Sequence, residues 1–248
     1  MPFDFKGKRV VVAGGSRGIG RSIALAFAAA GAGVSICARD PKALEATRAE
    51  IAKFGHTTHA GACDLSKEAD IARYVPDAIK ALGGIDVLIN NASGFGPGDD
   101  EASWEASLAV DVLAAVRASR LALPHLEQSK GNIIHIASGS GLRPSVRTPA
   151  YGAAKAAIIH YTRTQAAALA KKAVRVNCVA PGSIEFDGGV WAQRKAEDPA
   201  LYAATLASIP QGRMGYPEEV AHVVLFLASP LASWVTAQIV GVNGGQGL

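Results

Sequence analysis

Short apolar strand patterns alternate with longer helical patterns from one end of this chain to the other, and that alternation constrains the fold more than any other feature. Arg9–Ala13 is a β-branched run that ends in Gly14-Gly15-Ser16-Arg17-Gly18-Ile19-Gly20. An Ala-rich helical pattern then reaches about Ala30, where Gly31 to Gly33 stop it. Val34–Ala38 is the next strand, and Asp40-Pro41 reads as N-cap and first position of a helix reaching about Phe54. Strands at Thr57–Cys63, Ile85–Asn90, Asn132–Ala137, Val174–Val179 and Gln238–Val242 follow. Between them the spacing predicts helices at Lys67–Leu82, Glu101–Glu127 (one long helix), Pro149–Lys171, Ala192–Ser208 and Pro217–Ala228, with a loop over Pro181–Val190. Alternation of this kind, with strands apolar on both faces, specifies an α/β fold: a doubly wound parallel sheet covered on both sides. No linker, composition shift or internal repeat divides residues 1–248, so one domain is expected.

Composition removes several classes of function. The chain is 49% hydrophobic with a net charge of +4, and its Lys and Arg are scattered rather than clustered. Without a basic run or interleaved aromatics, nucleic acid is not an expected partner; an anionic small ligand is. No apolar run reaches membrane-spanning length, and Met1–Gly7 lacks a signal-peptide apolar region. Three cysteines, Cys37, Cys63 and Cys178, fall in strand-like segments without paired spacing, the pattern of reduced, buried thiols in a cytoplasmic protein. The six histidines form no HxxxH or Cys/His cluster, so no metal site is expected.

Chemistry enters with Tyr151-Gly152-Ala153-Ala154-Lys155. Residues four apart on a helix lie on one face, about 6 Å apart along the axis. An ammonium beside a phenol stabilises the phenolate and makes the phenol a better proton donor. Thr148-Pro149 reads as N-cap and first helical position, which puts Tyr151 in the opening turn, where the helix dipole favours negative charge.

The glycines after the first strand have the spacing GxxxGxG, a strand-to-helix turn in which backbone approaches a pyrophosphate at a helix N-terminus. An acidic residue roughly 20 positions further on commonly marks NAD, and Asp40 lies at about that distance. Helix capping before Pro41 accounts for Asp40, whereas Arg39 is the first residue beyond the strand and Arg17 lies within the turn. Two guanidiniums near the adenosine ribose suit a 2′-phosphate, so NADP(H) is the expected cofactor. Asp64-Leu65, ending the third strand, can reach the adenine edge, with helix capping an alternative role for Asp64. Asn90-Asn91-Ala92-Ser93 ends the fourth strand at the carboxyl edge, where open α/β sheets bind ligands.

Together Gly14-x-x-x-Gly18-Ile19-Gly20, Asp64, Asn90-Asn91-Ala92, Ser138, Tyr151-x-x-x-Lys155, Pro181-Gly182 and Asn243-Gly244-Gly245 resemble the short-chain dehydrogenase/reductase family over essentially the whole chain. The tail from Ile209-Pro210 through Gly212-Arg213 and Pro217-Glu218-Glu219 is most similar to the 3-oxoacyl-carrier-protein reductase and carbonyl reductase branch. The resemblance implies a Rossmann-like sheet of about seven parallel strands and hydride transfer between NADP(H) and a carbonyl or alcohol carbon. It implies that Ser138 binds the substrate oxygen, Tyr151 gives it a proton, and Lys155 holds the nicotinamide ribose and assists Tyr151. The expected cofactor contacts are Gly14, Ser16, Arg17, Gly18, Ile19, Gly20, Arg39, Asp64, Leu65, Asn91, Ala92, Ser93, Tyr151, Lys155, Pro181, Gly182 and Ile184.

Three positions depart from the family pattern. Asp111, in Val110-Asp111-Val112, stands where relatives have an Asn that supports a water relay behind the lysine. It retains acceptor capacity, lacks the amide donor, and is expected to keep a working relay with altered pH dependence. Ser93 replaces a glycine. Phe186 replaces a Thr whose hydroxyl contacts the cofactor carboxamide; Ser183 or backbone is then expected to substitute, leaving Phe186 for the substrate pocket. Ser183–Ser208, with Trp191 and Tyr202, is expected to form a substrate lid, and Gly94-Phe95-Gly96-Pro97 the opposite wall.

Small residues on several faces of two helices (Ala109, Ala114, Ala115 and Ala118, then Ala153, Ala156, Ala157 and Ala166–Ala168) suit a helix–helix subunit interface. The resemblance points to a homotetramer, with a dimer as the smaller alternative. The leading expectation is an NADPH-dependent reductase acting on a 3-oxoacyl thioester or other ketone. The alternatives are an alcohol, steroid or sugar dehydrogenase working oxidatively, and a nucleotide-sensing protein without turnover.

Overall fold

In the computed structural model, residues 3–247 are described, so the extreme ends of the expected 1–248 domain lie outside the described residues. Seven strands form one sheet in the order β3-β2-β1-β4-β5-β6-β7, every pair parallel. They are β1 (Arg9–Ala13), β2 (Gly33–Ala38), β3 (Thr58–Ala62), β4 (Val87–Asn90), β5 (Asn132–Ile136), β6 (Arg175–Pro181) and β7 (Ile239–Val242). The helices are α1 (Gly18–Ala29), α2 (Pro41–Ala52), α3 (Glu68–Leu82), α4 (Glu101–Ser107), α5 (Ala114–Ser129), α6 (Pro149–Leu169), α7 (Val190–Glu197), α8 (Pro199–Ala207) and α9 (Pro217–Ala228).

The two-residue period of a strand sorts each side chain to one face or the other. In β1, Val10 and Val12 join Ile23 and Phe27 of α1 and Val220 and Val224 of α9 in one core. Val11 and Ala13 join Ile71 and Val75 of α3, Ala118 and Leu126 of α5 and Leu169 of α6 in the other. Burial on both sides explains why the central strands read as unbroken apolar runs. Strand order reverses between β1 and β4, which opens a crevice at their carboxyl ends; the glycine turn and the Asn90–Ser93 segment both lie there.

The expected helix over Glu101–Glu127 is present without interruption, and its winding divides it into α4, a π-helical segment at Leu108–Leu113 and α5. The π segment continues a row of small polar residues on one face, Ser103, Ser107 and Asp111, all buried and all bonded to backbone amides of the preceding loop. Asp111 lies inside the π segment, whose bonds close at i to i+5, a distortion that marks functional positions in many helices. Residues 192–208 likewise divide into α7 and α8, because Asp198 accepts from Leu201 N (3.1 Å) and starts a second helix. Cys37, Cys63 and Cys178 are buried and unpaired. No helix among the described residues is long and apolar enough to cross a membrane.

Candidate active site

Ser138 follows β5, in extended backbone (φ −165°), and its Oγ accepts from Ser140 N at 3.1 Å, which orients the hydroxyl. Tyr151 lies in the first turn of α6, as its spacing from Pro149 predicts. Thr148 is indeed the N-cap, but its hydroxyl pairs with Ser145 Oγ at 2.8 Å and caps nothing. One turn on, Lys155 is buried at 2% exposure, its Nζ 5.6 Å from the centre of the Tyr151 ring.

Lys155 Nζ donates to Ile136 O (2.8 Å) and lies 2.8 Å from Asp111 Oδ1, an ion pair whose angles fall outside hydrogen-bond alignment. The other carboxylate oxygen, Oδ2, accepts from Gly94 N at 3.0 Å. Burial pulls the Lys155 ammonium toward deprotonation, but the charge of Asp111, with a smaller contribution from Tyr151, more than offsets it. The ammonium's pKa therefore ends above its ordinary value, and it stays charged in a dry site. Behind the pair, His135 on β5 is fully buried between Gln165 (3.0 Å) and Asn90 (3.2 Å), and burial lowers its pKa to about 4.

The glycine turn fits a phosphate. Arg17 occupies the N-cap of α1 in extended backbone with no side-chain cap, and the first turn carries no acidic residue, so its N–H groups are left for an anion. A Cβ on Gly20 would stand 1.9 Å from Gly14 O, so the turn closes only with glycine there. Asn91 Nδ2 donates to the same Gly14 O at 2.7 Å and ties the end of β4 to the turn. Gly14, Ser16 and Ala92 belong to this brace, and Ile19 packs against the core from the first turn of α1; Ala92 N bonds Ala13 O at 3.0 Å, and Ser16 O accepts from Thr47 Oγ1 at 3.0 Å. Asp40 caps α2, its Oδ1 accepting from Lys42 N (2.9 Å) and Ala43 N (3.4 Å). Arg39 and Arg17 are exposed, and neither makes an ion pair among the described residues. Asp64 accepts from Ser66 N and Oγ, closing a local turn beside Leu65, while Lys67 is the N-cap of α3.

Pro181 ends β6 and Gly182 N bonds Val242 O, which leads Ile184 into a bridge with Gly215. Ser183 is buried, and its hydroxyl is bonded to the Gln246 side chain (3.2 Å to Oε1). The Phe186 ring lies on the glycine turn: a Cβ added to Gly18 would stand 2.4 Å from it. Tyr202 donates to Glu185 Oε2 at 2.6 Å and Lys195 bonds Glu185 Oε1 at 3.2 Å, so Glu185 ties down α8 through Tyr202 and α7 through Lys195. Trp191 is half-buried in α7. Phe95 packs edge-on to Tyr151, ring centres 5.1 Å apart at 69°. Its residues were legible as a candidate wall; the three bonds that hold the loop to α4 and the π segment were not, although Gly94-x-Gly96-x-Gly98 facing Ser103-x-x-x-Ser107-x-x-x-Asp111 is a signal that could have shown them.

The family model described as Enoyl-(Acyl carrier protein) reductase matches residues 13–246. The 3-oxoacyl-[acyl-carrier-protein] reductase of Aquifex aeolicus (strain VF5) is 37% identical, covering 99% of this chain and 100% of its own. A 7 alpha-hydroxysteroid dehydrogenase solved with NADH and 7-oxo glycochenodeoxycholic acid superposes with a TM-score of 0.91 at 34% identity, covering 98% of this chain and 95% of that one. An NADPH-bound short chain oxidoreductase from Pseudomonas aeruginosa PAO1, described as containing an atypical catalytic center, gives 0.89 at 34% identity, covering 98% of each chain. By the family model over residues 13–246, the relatives at 34–37% identity and the shared seven-stranded parallel sheet, the chain belongs to the short-chain dehydrogenase/reductase family, enzymes that interconvert carbonyl and alcohol groups with a nicotinamide cofactor.

Proposed function

We propose that this protein is an NADPH-dependent reductase that converts a ketone to a secondary alcohol. The observation that carries the reading is the buried Lys155 ammonium beside Tyr151 at the mouth of the crevice: it keeps positive charge next to the phenol when the phenol releases its proton. Ser138 Oγ, oriented by Ser140 N, donates to the substrate oxygen, and Tyr151 protonates that oxygen as negative charge develops on it. Lys155 holds the ribose next to the nicotinamide and is itself held by Ile136 O and Asp111. The bound nicotinamide supplies the hydride. The uncapped start of α1, Gly14 through Gly20, with Asp64, Leu65, Asn91, Ala92, Ser93, Pro181, Gly182 and Ile184, is the surface that takes the cofactor.

Choice of the phosphorylated cofactor rests on Arg17 and Arg39, both exposed and neither held in an ion pair among the described residues, while Asp40 is spent on its helix. Phe95 and Trp191 are assigned to the substrate side and Phe186 to the roof of the nucleotide turn. Ala153, Ala156 and Ala157 of α6 are exposed and small, which suits packing against a second copy in a homodimer or tetramer. A second reading, an NAD-dependent alcohol dehydrogenase working oxidatively, draws on the solved relative that holds NADH. The deciding experiment is NADPH and NADH oxidation across a ketone panel that includes a 3-oxoacyl thioester, with the reverse reaction run on the product alcohols. NADPH consumption at least about tenfold more efficient than NADH consumption supports the proposal; alcohol oxidation with NAD alone overturns it. Tyr151→Phe abolishes turnover if the phenol is the acid.

A further inference from the structure

The loop between β4 and α4 is built as a zipper, and Asp111 is its last tooth. Gly98 N bonds Ser103 Oγ at 3.1 Å, Gly96 N bonds Ser107 Oγ at 3.1 Å, and Gly94 N bonds Asp111 Oδ2 at 3.0 Å. Every second residue of the loop thus meets every fourth residue of the helix. On the helix side the three partners stand four residues apart, about 6 Å per step along one face. The contact leaves no room for side chains, since a Cβ on Gly94 would stand 2.1 Å from Ala106 O and one on Gly96 2.0 Å from Ser103 O.

Between these two glycines stands Phe95, with φ +42°, a left-handed backbone that a bulky residue enters only at a cost of order 1 kcal/mol. Both neighbouring amides are pinned, so the strain is held in place, and Phe95 N is itself satisfied by Ser93 Oγ at 3.1 Å. The result is a ring set against Tyr151 with 37% of its surface still open.

We infer that Phe95 is a specificity-determining residue and Asp111 a positioning residue with two separable duties: Oδ2 anchors the loop that aims Phe95 at the substrate, and Oδ1 balances the charge of Lys155. The inference rests on the reductase reading of the same site. The wall it describes selects ketones whose larger substituent is flat and apolar, because an aromatic edge fixed beside the proton donor offers area and no polar partner. Groups facing Lys155 from each packed element are Asp111 on the π segment, Tyr151 on α6, His135 on β5 and Cys178 on β6, and Asp111 is the carboxylate among them.

Three variants of the full chain separate the duties: Phe95→Ala, Ser107→Ala and Asp111→Asn, each assayed with NADPH on an aryl ketone and a small alkyl ketone across pH. Phe95→Ala and Ser107→Ala are expected to lower the aryl-to-alkyl ratio of kcat/KM by about tenfold, through KM, with an unmoved pH profile. Asp111→Asn keeps an oxygen acceptor for Gly94 N, so the ratio stays and the alkaline limb of the pH profile moves. Amide exchange reads the zipper without activity: Gly94, Gly96 and Gly98 are protected, and Ser107→Ala accelerates Gly96 by about tenfold. Rapid exchange of these amides in the unaltered chain, an unchanged ratio in Phe95→Ala, or equal loss on both ketones overturns the inference while leaving the reductase reading intact. Failure of the unaltered chain to turn over any ketone removes that reading and this inference with it, whatever the exchange data show.

Discussion

Lys155 and Asp111 face each other in the interior, Nζ to Oδ1 at 2.8 Å, with side-chain exposures of 3% and 0%. A charge so placed is tolerated because its counter-charge is adjacent and both groups have further partners, Ile136 O for the ammonium and Gly94 N for the carboxylate. The pairing gives the site its own electrostatics, and a first prediction follows the sign of the Lys155 shift. Burial, the largest single influence, lowers the proton affinity of Lys155, and Asp111, with smaller contributions from Tyr151 and Cys178, outweighs it. In Asp111→Asn the ammonium is expected to lose its proton at lower pH, moving the alkaline limb of the kcat/KM profile to lower pH by about one unit or more. An unmoved limb refutes a charge-balancing role. Loss of one buried partner also costs stability, about 3 kcal/mol, readable by denaturant titration.

Cofactor choice is tested on Arg17 and Arg39. Each guanidinium is exposed, so alanine at either position leaves the fold alone. Each is expected to raise KM for NADPH by about tenfold, the worth of one charge-assisted hydrogen bond to phosphate, with little effect on NADH. Equal losses with both cofactors point to a contact common to the two dinucleotides instead.

His135 makes stability depend on pH. Its Nε2–H donates to Gln165 Oε1 and its Nδ1 accepts from Asn90 Nδ2, so the neutral tautomer is the one that satisfies both partners. Burial lowers its pKa to about 4, below the unfolded value near 6.5, so the unfolded chain binds a proton that the folded one refuses. The associated stability is fully present above about pH 6.5 and is lost as pH falls to about 4, a loss of about 3 kcal/mol. Urea unfolding at several pH values is expected to show a shallower slope over this window in His135→Gln than in the unaltered chain.

Glu219 contributes with the opposite group chemistry. Arg213 first, and then Tyr216 N at 2.8 Å, hold its carboxyl down to about 2. The stability is present above the ordinary glutamate value near 4.3 and is lost as pH falls through about 2. The side chain is 38% exposed, so solvent screening leaves about 1 kcal/mol. Glu219→Gln is expected to cost that amount at pH 7, less in 1 M salt, and only a small remnant of it at pH 2. A deficit that persists in full at pH 2 assigns the loss to packing of the α9 start rather than to charge.

Local patterns carried most of the fold. β1 and β4–β6 are legible because burial on both faces writes an apolar run into the chain, and Asp40-Pro41 announces a helix start that the capping bonds bear out. The glycine turn and the Tyr151–Lys155 pair were equally readable, since each is a property of a few consecutive residues with a defined backbone period. The π turn within the long helix was not, because it leaves the hydrophobic pattern of its neighbours nearly unchanged. Nor was the fate of the unusual residues. Ser183 had a free hydroxyl until the C-terminal segment brought Gln246 to it, and Phe186 had no position until the turn after β6 laid it on Gly18. The sequence by itself thus determined which elements exist, how they alternate and where the Tyr151–Lys155 pair and the glycine turn stand, because these follow from near-neighbour sterics and periodicity. Only the tertiary structure decided that Asp111 turns inward to join Lys155 with the loop beneath Phe95, because a buried carboxylate takes its partners from whatever elements the packed sheet brings within reach, wherever they stand in the chain.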